Sequence, residues 1–260
     1  MRLCGVHPRT AVLCGLLALT AACGIGVFRQ YEYEEEMYLS LDGSATVYVN
    51  GSIPAINALH GTSFDASPTG RFDRSVFREY FSSPHTNVVR VSSSRRSGRR
   101  FVHVRVEVDD VRRLGRAPAF AWSTYDLTER GDQVTYIQHV GAPLRPALSD
   151  PGAPAPASNG IWRGNELVAF RLHLPSKIDY HNTPTHEVGR GNILTWEQSL
   201  GERLRGIPLV LEARMEAQSI LYRTLWLFAA TFVAVAVVFA AVIWWIFRRG
   251  RPAKHAVGEA

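Results

Sequence analysis

Two histidines and a glutamate in one short segment are the first candidates for chemistry. His181, His186 and Glu187 bring metal-ligating side chains close together in sequence. A zinc-binding helix needs its histidines one turn apart, and Pro184 between them is incompatible with a helix interior. We therefore expect no metal site here. We expect His103 on the outward face of a strand and most other histidines on surface loops.

The run Glu32, Glu34, Glu35 and Glu36 is the next candidate group. A catalytic carboxylate pair needs two environments that separate the pKa values of its members, and a clustered exposed run offers no such difference. The run could instead pair with arginines across a sheet, or keep an edge strand soluble. No nucleophile elbow, phosphate-binding loop or dinucleotide fingerprint occurs, and nothing marks a nucleophile in the serine run from Ser92 to Ser94. The sequence predicts no catalytic residue, no cofactor and no enzymatic activity.

Nine arginines between Arg90 and Arg116 give that stretch a net charge of +6. Guanidinium groups suit phosphate and carboxylate oxygens, so one interpretation is an anion contact, such as lipid headgroups or an envelope polymer. The other interpretation is a solvated hairpin tip and strand face. The candidate anion contacts are Arg95, Arg96, Arg99, Arg100, Arg112 and Arg113.

The formal net charge of the whole chain is also +6, but most of it lies at the two ends. Residues 29–223 are nearly neutral at +1, which argues against a nucleic-acid-binding surface and favours membrane flanks. All three cysteines, Cys4, Cys14 and Cys23, precede residue 29. Disulfides and cysteine-ligated metals are therefore excluded from the part that follows.

The carboxyl-terminal end predicts a transmembrane helix over residues 222–247. Thr224 to Phe247 is an unbroken apolar run of 24 residues, which as a helix spans about 36 Å against a hydrocarbon core of about 30 Å. Trp226, Trp244 and Trp245 lie near its ends, where indole rings favour the interface. The basic segment 248–260 follows and is expected in the cytoplasm of a bacterial cell. The domain 29–221 is then expected outside the cytoplasm.

The amino-terminal residues 1–28 combine a short basic region with an apolar stretch. Leu19-Thr20-Ala21-Ala22-Cys23 is similar to a bacterial lipobox, with Thr20 in the place of the usual leucine. Lipidation at Cys23, an uncleaved anchor from Thr10 to Phe28, and simple signal-peptide cleavage all remain open. Each of them leaves the following domain outside.

Between these ends the patterns predict an α+β fold with an antiparallel-leaning sheet and a few short helices. A hairpin is expected over 31–50 with its turn at Asp42-Gly43, and Val102, Val104, Val106 and Val108 should face inward from a second hairpin. In the first strand of that second hairpin Val89 and Val91 should share a face, and Ala119 to Leu127 is expected to form a further strand. Residues 142–160 are rich in Pro and Ala and are typical of a loop. The apolar spacing over Phe72 to Phe81 predicts a helix. Its candidate apolar ligand contacts are Phe72, Phe77 and Phe81.

Three stretches together carry a family resemblance: Leu41 to Val47, Leu174 to Ile178, and Gly191 to Trp196. Their order before a carboxyl-terminal apolar helix resembles LppM-type bacterial lipoproteins and similar uncharacterised envelope proteins. The resemblance implies an exported lipoprotein with an α+β domain, no known enzymatic chemistry, and a possible role at envelope lipids. The lipobox and the 142–160 insert depart from that pattern.

These observations lead to a functional hypothesis with two alternatives. We expect a membrane-anchored, non-enzymatic envelope module that contacts lipid or another envelope protein and does not bind nucleic acid. An enzyme acting on envelope material and a structural or sensory membrane component are the alternatives. A deep apolar cavity would favour a lipid ligand, whereas a filled core with an exposed apolar patch would favour a protein partner.

Overall fold

The computed structural model describes residues 29–144 and 162–249. The predicted lipidation at Cys23, most of the predicted 142–160 loop and the basic tail after Arg249 lie outside the described residues. Within them the strands are β1 (Gln30–Leu39), β2 (Ala45–Ser52), β3 (Thr86–Arg96), β4 (Arg99–Val108), β5 (Ser123–Arg130), β6 (Gln133–Val140), β7 (Glu166–His173), β8 (Ser176–His181), β9 (Ile193–Ser199) and β10 (Leu209–Ser219). The helices are α1 (Ile53–His60), α2 (Arg74–Phe81), α3 (Leu200–Leu204) and α4 (Ile220–Arg249), with 3-10 turns at Val111–Arg116 and Pro118–Phe120.

The strands form two sheets. The larger has the order β3-β4-β2-β1-β7-β9, and the smaller has the order β5-β6-β10-β8. Strands β1 and β7 pair in parallel, and the other neighbours pair antiparallel. The predicted α+β class with an antiparallel-leaning sheet is confirmed.

Local chemistry explains the turns and helix starts that frame the domain. The first hairpin turns at Asp42-Gly43, where Gly43 has φ 92° and the Asp42 carboxylate accepts from the Ser44 backbone N–H at 2.9 Å. Helix α1 begins after Ser52, whose hydroxyl caps the Ala55 N–H. Helix α2 begins after Asp73, which caps Ser75. Phe72, where the predicted helix was expected to begin, therefore lies just before helix α2 and not inside it.

The core lies between the sheets and beneath helices α1 and α2. The alternating valines of β4, from Val102 to Val108, are all buried as predicted. Trp196 is 1% exposed and its indole N–H donates to the Asn182 side chain at 2.9 Å, which makes it a core anchor. The same continuous cluster includes residues of β1, β7 and the smaller sheet.

Two local expectations need correction, and two further elements were not predicted. Val89 is 42% exposed while Val88 is buried, because a bulge between Val88 and Arg90 shifts the alternation of β3. Strand β5 begins at Ser123, since Pro118–Phe120 forms a 3-10 turn in the stretch expected to be extended. Strand β8 and helix α3 did not stand out in the sequence pattern.

The domain has two distinct ends, because β1 and β10 run in the same direction. The Tyr33 and Trp122 rings lie 5.4 Å apart, and the Tyr136 hydroxyl lies 3.7 Å from the Met37 sulfur. Tyr136 pairs with Leu127 of β5, so β1 and β5 run in the same direction in the two sheets. Strand β10 parallels β5 through β6, and Ala213 pairs with Tyr136. At about 3.3 Å per residue, the start of β1 and the end of β10 lie roughly 40 Å apart. We call these the β1 end and the α4 end.

Helix α4 follows β10 without an intervening residue. Among the described residues, Thr224–Arg249 is the one helical stretch long and apolar enough to cross a membrane, and none of it is buried against the domain. The guanidinium groups of Arg248 and Arg249 lie 5.0 and 4.1 Å from the rings of Trp244 and Trp245. This arrangement fits a helix end at a membrane interface.

Candidate functional site

A half-open groove of about 470 Å³ lies between helix α2 and the segment that leads into it. Its apolar wall includes Phe64, Phe72, Val76 and Phe77, with Ile53 also in the lining. The Phe64 and Phe77 rings are 4.4 Å apart, and Phe72 stacks on Phe77 at 5.4 Å. Val76 is 44% exposed, so the wall is open to a ligand. We call this groove the phenylalanine cleft.

Positively and negatively charged side chains both lie on the rim of the phenylalanine cleft. Arg71 and Arg100 contribute two cations, and Asp65 and Asp73 contribute two carboxylates. Asp73 is also the cap of α2, where hydrogen bonds from the Ser75 side chain and backbone lower its pKa. The cleft is therefore apolar with a balanced polar rim, as small-molecule sites usually are.

A second groove of about 400 Å³ adjoins the first and differs from it in charge. We call it the arginine cleft; its lining is Gly70, Phe72, Ser93, Ser94, Arg95 and Arg100. It holds two arginines and no carboxylate, together with two serine hydroxyls. Phe72 and Arg100 line both clefts. The two grooves thus form one bipartite surface with an aromatic half and a cationic half.

Arg100 holds this surface together. It is 4% exposed, and its Nη2 donates to the carbonyl oxygens of Pro68 at 3.0 Å and Gly70 at 2.5 Å. Its guanidinium carbon lies 5.8 Å from the centre of the Phe72 ring. Strand β4 thereby fixes the segment that carries Phe72, and a buried cation is placed between the two clefts.

The structure separates the six arginines predicted for anion contact. Arg95 and Arg100 line the arginine cleft, and Arg96 lies nearby, donating to the Tyr31 carbonyl and covering the Phe101 ring at 4.3 Å. Arg99 points inward, 2.6 Å from the Glu32 carboxylate and 3.6 Å from that of Glu166. Arg112 and Arg113 lie beside the first turn of the domain and pair with Asp110.

The three predicted phenylalanines are also separated. Phe72 and Phe77 line the phenylalanine cleft. Phe81 is fully buried against His60 and Phe120 and is not among the lining residues. The apolar helix therefore contributes one face to the core and another to the cleft.

The glutamate run is not the exposed cluster that we expected. Glu32 and Glu35 are buried, and Glu34 and Glu36 contact Arg171 and His173 of β7. The pairing with arginines is thus real, although only Glu32 uses a member of the arginine stretch. The misprediction arises because the partners come from strands far away in sequence.

Glu35 lies between the two sheets and outside both clefts. Its carboxylate accepts from Tyr125 at 3.3 Å, Gln138 at 3.2 Å and Tyr33 at 3.3 Å. Burial raises the pKa of Glu35 to about 7, although these hydrogen bonds act in the opposite direction.

The expectation that most histidines lie on surface loops is wrong, because His139, His173 and His181 belong to strands and His60 belongs to a helix. His60 ends α1 and is buried, with its Nδ1 3.2 Å from the Tyr80 hydroxyl, and burial lowers its pKa to about 3. His103 is partly exposed on β4, as predicted. In the stretches 29–144 and 162–249, no three His, Cys, Asp or Glu side chains are grouped as metal ligands would be.

Two further grooves are less suited to an amphipathic ligand. One, of about 550 Å³, contains Arg29 and Glu197, which pair with each other at 2.6 Å. The other, of about 540 Å³, contains the carboxylates of Asp132, Asp179 and Glu216. Neither has an aromatic wall like that formed by Phe64, Phe72 and Phe77. The bipartite surface is therefore the best candidate site in the described part of the chain.

Comparison with known proteins gives one structural likeness. No protein-family model and no curated protein sequence matches the chain. The fold matches the NMR structure of the folded domain of Mycobacterium tuberculosis LppM, covering 74% of this chain and 94% of that domain. The TM-score is 0.36 and the identity is 13%. Likeness at this level carries no information on ligand or activity.

Proposed function

We propose that this chain is a non-enzymatic, membrane-anchored module of the bacterial cell envelope that binds an amphipathic anion of the lipid class. The observation that carries the proposal is the sharing of Phe72 and Arg100 between an apolar cleft and a cationic cleft. One molecule that spans both would meet aromatic rings at one end and guanidinium groups at the other.

The phenylalanine cleft suits the apolar part of such a ligand. Its volume of about 470 Å³ lies within the range of small-molecule sites, and aromatic rings offer a large contact area at little entropic cost. Asp65 and Asp73 on its rim disfavour an anionic group there. The charge distribution therefore orients the ligand.

The arginine cleft suits the anionic part. The Arg95 side chain is exposed. The Arg100 guanidinium is already oriented by the carbonyls of Pro68 and Gly70 and lies over the Phe72 ring. Guanidinium donors match phosphate and carboxylate oxygens, and the serine hydroxyls of Ser93 and Ser94 supply further donors. A phosphate-bearing headgroup fits this chemistry.

The membrane setting completes the proposal. In the proposed arrangement α4 crosses the bilayer with Arg248 and Arg249 at its cytoplasmic end, and both clefts are outside the cytoplasm. The length and apolarity of α4 and the two arginines in its last turn support this orientation. Lipidation at Cys23 would add a second attachment. An envelope lipid is then the amphipathic anion that the domain meets at the highest local concentration.

The test is native mass spectrometry of the full chain released from membranes, followed by extraction and identification of any bound molecule. We expect an adduct of phospholipid mass that survives delipidating washes. A clean apo mass in repeated preparations would contradict the proposal and favour a protein partner, which crosslinking in intact cells would then identify.

A further inference from the structure

The positions of the two chain ends restrict how the domain can sit on a membrane. Chain direction and inter-sheet contacts place the start of β1 and the start of α4 at opposite ends of the domain, roughly 40 Å apart. A domain held by α4 alone could stand upright, with the β1 end far from the bilayer.

The connection at the β1 end is short. The apolar amino-terminal stretch extends to Phe28, and β1 begins at Gln30. If Cys23 were the attachment point, the six residues 24–29 would reach at most about 20 Å. Attachment of this segment to the bilayer that α4 crosses is incompatible with an upright domain.

The β1 end also carries exposed positive charge. The β3–β4 hairpin turns at Ser97-Gly98, with φ values of 50° and 71°, and Arg96 donates to the Tyr31 carbonyl of β1. Arg95 and Arg96 are exposed there, and no described carboxylate lies within salt-bridge distance of either. We call this feature the hairpin tip.

The α4 end is different in charge. Arg112 and Arg113 pair with Asp110, and Lys177 pairs with Asp179 and Glu216. Arg112, Arg113 and Lys177 are therefore compensated within the domain, whereas Arg95 and Arg96 of the hairpin tip are available to anionic headgroups.

We propose that the hairpin tip docks on anionic lipid headgroups of the same bilayer that α4 crosses, so that the domain lies lengthwise along the membrane. Both clefts are close to the tip, because Arg95 of the hairpin lines the arginine cleft and Arg100 of the hairpin lines both clefts. The bilayer surface would then supply the cleft ligand directly. The inference rests on membrane attachment of the segment before Arg29, and not on occupancy of the clefts.

The experiment places a benzophenone-bearing phenylalanine at Ser97 or at Asp132 in the full chain. Asp132 lies in the β5–β6 turn at the α4 end, where its carbonyl accepts from Ala217, and Ser97 is not among the lining residues of either cleft. The chain is reconstituted in vesicles of phosphatidylethanolamine and phosphatidylglycerol, irradiated, and analysed for lipid adducts. We expect adducts at both positions.

Charge variants connect the result to the hairpin tip. The pair Arg95→Gln and Arg96→Gln should lower the adduct yield at position 97 several-fold, whereas Arg112→Gln with Arg113→Gln should leave it unchanged. Adducts at position 132 alone, or at neither position, would overturn the proposal. Val76→Glu, which obstructs the phenylalanine cleft, should leave the adduct pattern intact, so a failure of the cleft ligand is distinguishable from a failure of docking.

Discussion

The Glu35 carboxylate of β1 accepts a hydrogen bond from the Tyr125 hydroxyl of β5, at 3.3 Å, across the space between the two sheets. Gln138 of β6 donates to the same oxygen, and no described Lys, Arg or His forms a salt bridge with Glu35. A buried carboxylate with neutral partners retains its proton more readily than one in water. The packing of the two sheets is therefore linked to pH.

Glu35→Gln should remove a pH-dependent loss of stability. The pKa of Glu35 is about 7 in the fold and about 4.5 when unfolded, so the native state binds the additional proton between these values. Its contribution is present below pH 4.5 and is lost as the pH rises through 7. The full difference corresponds to about 3 kcal/mol at alkaline pH. Chemical unfolding followed by tryptophan fluorescence at pH 5 and pH 8 measures it.

The matched control is Glu129→Gln, which removes an exposed carboxylate from the neighbouring strand β5. It should unfold with the same pH profile as the unsubstituted chain, whereas Glu35→Gln should be more stable than that chain at pH 8 and similar at pH 5. Equal pH slopes in Glu35→Gln and the unsubstituted chain would show that Glu35 does not titrate as described.

His60 should determine how far the pH can fall before the fold loses stability. Burial lowers its pKa from 6.5 to about 3, so the unfolded state binds the additional proton between these values and stability falls as the pH falls. His60→Phe should remove this slope, of up to about 1.4 kcal/mol per pH unit. Acid unfolding monitored by circular dichroism checks it. The exposed His139→Gln serves as the control, and an unchanged acid midpoint in His60→Phe would contradict the assignment.

Local sequence patterns predict the fold correctly where one face of a strand or helix is uniformly apolar. The valines of β4 alternate without interruption, and Asp42-Gly43 has the backbone freedom that a hairpin turn requires, so both were predictable. Strand β8 is a short edge strand whose alternation is mostly polar, and it was missed for that reason. Simple alternation would place Val89 on the same face as Val91, but the bulge between Val88 and Arg90 leaves Val89 exposed.

The candidate site was predictable in its residue types but not in its geometry. The aromatic spacing over 72–81 and the arginine density after residue 90 were visible in the sequence. Phe72 and Arg100 line both clefts because Arg100 donates hydrogen bonds to the carbonyls of Pro68 and Gly70. These two residues lie in a segment without helix or strand periodicity, so the sequence does not predict the contact. The burial of Glu35 depends on Tyr125 and Gln138, which lie about a hundred residues away.

Arg95→Gln should reduce the preference for anionic amphiphiles. Arg95 lines the arginine cleft and is exposed, so its loss removes a cation without opening the core. We expect roughly 5-fold weaker binding of a short-chain phosphatidylglycerol, corresponding to about 1 kcal/mol, and little change for a short-chain phosphatidylcholine. Isothermal titration of the full chain in a non-ionic detergent measures both.

The control for this selectivity is Arg130→Gln, which removes an exposed cation at the far end of β5. It should bind both amphiphiles as the unsubstituted chain does. An equal loss in Arg130→Gln would indicate a general charge effect and count against the arginine cleft.

The bipartite site is tested most directly by two valine substitutions of matched exposure. Val76 is 44% exposed on the wall of the phenylalanine cleft, and Val89 is 42% exposed on β3 and absent from the lining of either cleft. Native mass spectrometry would measure the fraction of each full-chain variant that retains a co-purified lipid. We expect Val76→Glu to lose that lipid and Val89→Glu to retain it. Equal occupancy in the two variants would contradict binding in the phenylalanine cleft.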